Sequence, residues 1–359
     1  MSCKDRKDYR VPSLALPMDL HSAAGAVPSK RIRLALNCVG RADGTYGRIG
    51  GWRKLGGLRG EEHFVFAVIG DYGTDDINSE NVANLVKSWK PKFIVSTGDN
   101  WYDPHLRNID QAIGKYYRSY INPYLGAMPL PDGETQKTEN AFWAVAGNYD
   151  LDVNVGSDFY AYFTTPYPNP ANTQWFKAKS GPVEIFGIET PWSTSVNVRP
   201  DNSDPNGVQG TWLKQALRDS TALYKIVVFH QPPWTSSSVH YDGRSEMRVT
   251  AGWKFGEWGA DVLLHGHAHL HEVVKRDGVV SIISGNGGRA LYPFNPAAVV
   301  GHVAGFDDEF GAVKATVSAD GILFEGIDIN AVVRTQYAYS RYANSDLHDQ
   351  LSGVYTDAC

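Results

Sequence analysis

Cysteine is scarce: Cys3, Cys38 and Cys359 are the three in 359 residues. They form neither a CxxC pair nor the even-numbered set of a disulfide framework. Cys359 is the last residue, so it cannot head a prenylation box, which needs three residues beyond the Cys. Long apolar runs are also missing, and none approaches the roughly 18–20 residues that a bilayer-spanning helix requires. The N-terminus lacks the apolar core of a secretory signal, because Leu14-Ala15-Leu16 is interrupted by Pro12 and Pro17. Its arginines suit an organelle transit peptide, but Asp5, Asp8 and Asp19 depart from that acid-poor pattern. There is no internal repeat of useful length.

What remains is the composition of a soluble globular protein. Hydrophobic residues make up 42% and charged residues 20%, with 10 Trp and 19 Tyr, enough apolar material for a sizeable core. The net charge of −5 hides an asymmetry. Residues 1–60 hold 12 Lys/Arg against 4 Asp/Glu, and the rest of the chain holds 22 against 35. A basic arm on an acidic body can contact nucleic acid or a membrane surface. The plainer expectation is a poorly ordered arm, or one laid on its own acidic domain.

Residues 1–60 are rich in Gly, Pro, Ser and Arg and lack a sustained period, so they read as an extension with one short strand near 32–36. A catalytic domain is expected over 61–330, followed by a polar, Tyr-rich tail over 331–359. Within the domain, five apolar runs read as buried strands. Phe64–Ile69 ends in Gly70-Asp71, Phe93–Thr97 in Gly98-Asp99, and Phe142–Ala146 in Gly147-Asn148. Lys225–Phe229 ends in His230, and Asp261–Leu264 in His265-Gly266-His267. Glu80–Trp89 and Gly210–Asp219 have helical spacing. Gln174–Lys179 and Val183–Thr190 read as a hairpin, and Asp150–Asn172 as an ordered loop near the site. Val273–Arg276, Val279–Ile283, Val313–Ser318 and Ile322–Ile329 read as strands closing a second sheet, with turns at Asp277-Gly278 and Asp320-Gly321.

Five strands thus end in residues able to bind a metal, and in layered α/β folds ligands sit beyond the carboxyl ends of strands. Asp71, Asp99, Asn148, His230, His267 and His269 supply the oxygen donors, carboxylates and imidazoles that two closely spaced metal ions need. Each motif alone is commonplace, since Gly-Asp after a strand is usually a turn and a strand-end His is usually hydrogen-bonded. The ordered combination is specific.

Gly70-Asp71-Tyr72-Gly73, Gly98-Asp99-Asn100-Trp101-Tyr102, Gly147-Asn148-Tyr149-Asp150, Val227-Val228-Phe229-His230 and Gly266-His267-Ala268-His269 resemble the five ordered motifs of calcineurin-like metallophosphoesterases. Gly73 and Tyr102 narrow the resemblance to the purple, tartrate-resistant acid phosphatase-like branch, over roughly 62–330. It also takes in His230-Gln231-Pro232-Pro233-Trp234 and Ser284-Gly285-Asn286-Gly287-Gly288. The resemblance implies an α/β fold, a four-layer αββα sandwich of two mixed sheets. It implies Asp71, Tyr102 and His269 on a ferric ion, Asn148, His230 and His267 on a divalent Fe, Zn or Mn, and Asp99 bridging both. A charge-transfer colour would follow from a Tyr102–Fe(III) bond. The implied reaction is cleavage of small phosphate esters by a metal-bound hydroxide, without a covalent enzyme intermediate.

One position departs from the pattern. The third motif ordinarily carries His after Gly-Asn, where the imidazole contacts phosphate and helps protonate the leaving group, and here Tyr149 stands instead. A phenol, with an ordinary pKa of about 10, donates a hydrogen bond but brings no positive charge. His240, in the loop after His230, is the candidate to orient the phosphate or protonate the leaving oxygen. With the acid step weakened, a phosphomonoesterase favouring activated leaving groups is expected. The alternatives are a phosphodiesterase, a nucleotide hydrolase, or a metal-bound binding protein with impaired catalysis. Asp150 is expected to orient a neighbour in the site. His265, His271 and His105 flank the motifs without being needed as ligands. Trp101, Tyr102, Tyr149, Tyr160 and Trp234 are candidates to wall the pocket.

Overall fold

The computed structural model describes residues 63–102, 108–152, 156–164, 175–190, 202–295 and 299–340, together with two short strands nearer the N-terminus. The chain divides into two units, 1–57 and 58–359. In the first, β1 (Cys38–Gly40) and β2 (Tyr46–Arg48) pair antiparallel, with Cys38 opposite Arg48. The strand expected at 32–36 and His105 both lie outside the described residues.

In the second unit, continuous apolar runs form strands covered on both faces. β3 (Phe64–Ile69), β4 (Ile94–Ser96) and β5 (Phe142–Ala144) pair in parallel. β13 (Gly311–Val317), β14 (Ile322–Asp328) and β15 (Val333–Tyr339) extend that sheet antiparallel from β3, giving the order β15-β14-β13-β3-β4-β5. The other sheet is built from β6 (Phe176–Ser180), β7 (Val183–Gly187), β8 (Tyr224–Val228), β9 (Val262–His265), β10 (His271–Arg276), β11 (Val279–Ser284) and β12 (His302–Phe306). Its seven strands run in the order β12-β10-β11-β9-β8-β7-β6, with β7, β8, β9 and β11 parallel.

Alternation along β8 shows how the layers stack. Ile226 and Val228 enter a core shared with Phe66 and Val68 of β3, whereas Val227 packs with Leu213 and Leu217 of α6 (Val208–Asp219) on the outer face. α1 (Ile77–Ser88) buries Val82, Ala83 and Val86 against the six-stranded sheet. Helices outside two mixed sheets give the expected four-layer α/β sandwich. Each fully buried Val, Leu or Phe contributes about 1.5–3 kcal/mol. α1 starts three residues before the expected Glu80 because Asp76 caps it, accepting from the N–H groups of Asn78 and Ser79 at 3.0 Å each.

Three readings change. The four strands after the last motif do not close one sheet: β10 and β11 belong to the seven-stranded sheet, and β13 and β14 to the six-stranded one. Alternation marks a strand but not its partner. The segment 150–172 is partly helical, with α4 (Asn148–Asp152) and α5 (Ser157–Tyr162); α2 (Ile109–Ala112) and α3 (Gly114–Tyr117) precede them. The segment read as a tail contributes β15, where Thr335 and Tyr337 are buried on alternate positions. The hairpin turns fit their sequence: Asp277 and Gly278 adopt φ of 54° and 76° between β10 and β11. Among the described residues, no helix is long and apolar enough to cross a membrane.

Candidate metal centre

Carboxyl ends of strands from both sheets meet at one place. There the chain turns sharply, and Asp71, Asp99 and His267 adopt left-handed φ of 57°, 51° and 66°. Left-handed non-glycine residues are costly and cluster at functional sites. Close approach is enforced by glycine: a Cβ on Gly147 would lie 2.2 Å from Asp99 Oδ1, and one on Gly98 2.5 Å from His230 Nδ1.

All seven expected ligands converge. On one side, the Tyr102 hydroxyl lies 3.2 Å from Asp71 Oδ1 and 3.4 Å from His269 Nε2. On the other, Asn148 Oδ1 lies 3.1 Å from His230 Nε2 and 3.0 Å from His267 Nδ1. Asp99 stands between the two groups. Its Oδ2 is 3.0 Å from the Tyr102 hydroxyl, and its Oδ1 is 3.4 Å from His230 Nε2. Donor atoms of Asp71, Asp99 and His230 all fall within 4.8 Å of one another.

Neighbouring groups fix which atoms face inward. His230 Nδ1 is 2.8 Å from the Thr97 carbonyl, and His269 Nδ1 is 2.8 Å from the Ala290 carbonyl. Each Nδ1–H donates outward, leaving the Nε2 lone pair for the centre. Asp150 accepts from the N–H of Gly147 at 2.8 Å and from Asn100 Nδ2 at 2.8 Å, tying the second motif to the third.

The electrostatics call for cations. Burial drives Asp71 above the usual carboxylate range, with His269 and His230 offsetting part of the rise. Burial also pushes Asp99 upward, but the His230 charge and hydrogen bonds from His230, Tyr149 and Tyr102 outweigh it and hold the group low. Burial, reinforced by the two carboxylates, keeps the Tyr102 phenol protonated far above its ordinary range. Burial opposes charge on His230, yet Asp99 and Asp71 together raise it to about 9. Burial and the adjacent histidines hold His267 well below its ordinary value. Two buried carboxylates, a phenol, an amide and three imidazoles fit a pair of hard-to-borderline ions, which would replace the protons now neutralising the donors.

The mouth carries residues of two kinds. Tyr149, 36% exposed, packs its ring at a tilt of 56° and 4.5 Å from the Tyr102 ring and donates its backbone N–H to Asp99 Oδ1 at 3.0 Å. His240 is half-buried and stacks on His267 at 3.8 Å, and burial lowers its pKa to about 4. Arg289 and Tyr292 also belong here and are invisible to strand-end reasoning. The Tyr292 ring stacks on His269 at 4.0 Å, and the Arg289 guanidinium lies 4.8 Å from the Tyr102 ring centre. Their one sequence signal is position, within four residues after Gly287-Gly288. Other candidates point elsewhere. His265 is buried beneath the centre against the Phe229 carbonyl and Ser281, and His271 bonds Thr335. Trp234 is held by Arg248 and Arg276, each 3.3 Å from its ring centre, and Tyr160 bonds Glu189. Trp101 is buried in the shared core.

Purple acid phosphatase 5 of Arabidopsis thaliana is 26% identical over 217 residues, 59% of this chain and 45% of the relative. Purple acid phosphatase 4 of the same plant is 25% identical over 309 residues, 79% of this chain and 85% of its own. The chain thus spans under half of one relative and most of the other. Among solved structures, GAP50, the anchor in the inner membrane complex of Plasmodium, aligns with a TM-score of 0.56 at 17% identity, covering 79% of this chain and 91% of that one. The model of the calcineurin-like phosphoesterases matches residues 64–271, which contain all five motifs, and the chain belongs to that family.

Proposed function

We propose that this protein is a dinuclear-metal hydrolase of phosphate esters, an acid-phosphatase-like phosphomonoesterase that favours activated leaving groups. One observation carries the reading: seven donors form two groups sharing Asp99. Asp71, Tyr102 and His269 would hold a ferric ion, and Asn148, His230 and His267 a divalent Fe, Zn or Mn. A phenolate is a hard, charged donor suited to Fe(III), and neutral imidazoles with an amide suit a divalent ion. When bound, such a pair supplies Lewis-acid stabilisation of phosphoryl charge and an activated water. The chain's own residues do the rest. The Tyr149 phenol presents a hydrogen-bond donor to the phosphoryl oxygens. His240, seated against His267, orients the ester, and with its pKa lowered by burial to about 4 it hands a proton to the leaving oxygen only in acid. Asp150 holds the second and third motifs in register.

Without an imidazole at position 149, expulsion of a basic alkoxide suffers more than attack does. Aryl esters, phosphoanhydrides and some diesters are therefore the preferred substrates. The test is a panel of aryl and alkyl phosphomonoesters with wild type and Tyr149→His. A positioned general acid contributes about 10²–10⁴-fold, so the variant should gain about a hundredfold on alkyl relative to aryl esters. Equal wild-type rates on both classes would contradict the proposal.

Tyr149 also motivates a second reading, a metal-bound binding protein without efficient catalysis. That a fold neighbour is named as an anchor is in keeping with it. Metal retention without turnover on any aryl ester would favour this reading over the first.

A further inference from the structure

We propose that Arg289 is the cation that grips the substrate's phosphoryl group, compensating for the charge that Tyr149 cannot bring. This rests on the hydrolase reading above. The guanidinium lies 4.8 Å from the ring centre of Tyr102 and 6.0 Å from that of Tyr149, beside the very position where the family pattern expects an imidazole. Its segment is anchored to the centre. The Arg289 N–H donates to the Asp71 carbonyl at 2.9 Å, and the next carbonyl, Ala290, receives His269 Nδ1 at 2.8 Å. Two residues on, the Tyr292 N–H donates to the His269 carbonyl at 2.9 Å. The backbone carrying the arginine is thus tied to two ligands of one ion, while the half-buried side chain lies over their phenolic partner.

A planar guanidinium makes paired hydrogen bonds to phosphate oxygens and keeps its charge at every working pH. For the same reason it has no proton to give a leaving group. Arg289 would therefore restore binding of the phosphoryl group but not acid catalysis, which is the combination that yields a leaving-group-sensitive phosphatase. Arg244, whose Nε donates to Gln231 Oε1 at 3.1 Å, provides an internal comparison.

The experiment measures inorganic phosphate binding to metal-loaded full-length protein by calorimetry, with kcat and KM for one aryl phosphate. Arg289→Gln should weaken phosphate binding by about ten- to a hundredfold, as expected for loss of a charge-assisted hydrogen bond, and raise KM more than it lowers kcat. Arg289→Lys should recover part of the affinity, at unchanged metal content. Should the Gln variant fail to hold metal, the Lys variant carries the comparison, with an intermediate affinity expected and wild-type affinity contradictory. Phosphate affinity within about twofold of wild type in Arg289→Gln would overturn the assignment. So would an equal loss in Arg244→Gln, which would mark a general field instead of a specific grip. Failure of the hydrolase reading looks different: wild type itself would neither bind phosphate nor cleave the ester.

Discussion

At the scale of single residues, outward hydrogen bonds fix two of the imidazoles in the centre. His230 and His269 give Nδ1–H to carbonyls, and Asp99 is held between Tyr102 and His230. His240 differs from these: it stacks on His267 and belongs to the mouth. If His240 acts on the ester's leaving oxygen, His240→Ala should slow alkyl esters by about a hundredfold and aryl esters by much less. Relative rates on a leaving-group series check this, and uniform retention of turnover on poor leaving groups would remove the role. Asp71, Asp99, Asn148, His230 and His267 were legible because each stands one to three residues beyond an apolar run, His269 through its alternation with His267, and Tyr102 through the family motif. Arg289 and Tyr292 were not, because a half-exposed loop has no period and its cation looks like any solvated arginine.

At the scale of elements, buried parallel strands announce themselves as unbroken apolar runs, so β3, β4, β5, β8 and β9 could be placed to within a few residues. Sheet membership could not. β10 and β13 have similar patterns, yet they lie in different sheets, and pairing between distant segments leaves no local trace. One link between the sheets carries a pH signature. His271 on β10 is buried with Nε2 2.7 Å from Thr335 Oγ1 on β15, and burial lowers its pKa to about 4. The unfolded imidazole, near pH 6.5, takes up its proton first. Stability from this group is therefore whole above about pH 6.5 and drains as pH falls towards 4. The loss is on the order of 3 kcal/mol once both states are protonated. Denaturant unfolding of His271→Gln between pH 7 and 4.5 should show a flatter stability profile than wild type. Parallel profiles would assign the acid sensitivity elsewhere.

For the whole molecule, the two sheets act as one device. The six-stranded sheet delivers Asp71, Asp99, Tyr102 and Asn148, and the seven-stranded sheet delivers His230, His267 and His269. Neither sheet holds a complete set, so the centre exists only when their shared core is packed. Family membership rests on the match over residues 64–271, and the layered fold on the two sheets and their covering helices. The metals and the substrate belong to the proposal. The most direct measurement is metal content of the purified protein, with its visible absorption spectrum, before and after Tyr102→Phe. The account predicts about two metal ions per chain, iron among them, and a visible band that disappears in the variant. Protein that binds no metal after reconstitution with iron and zinc would contradict the centre and leave only the fold.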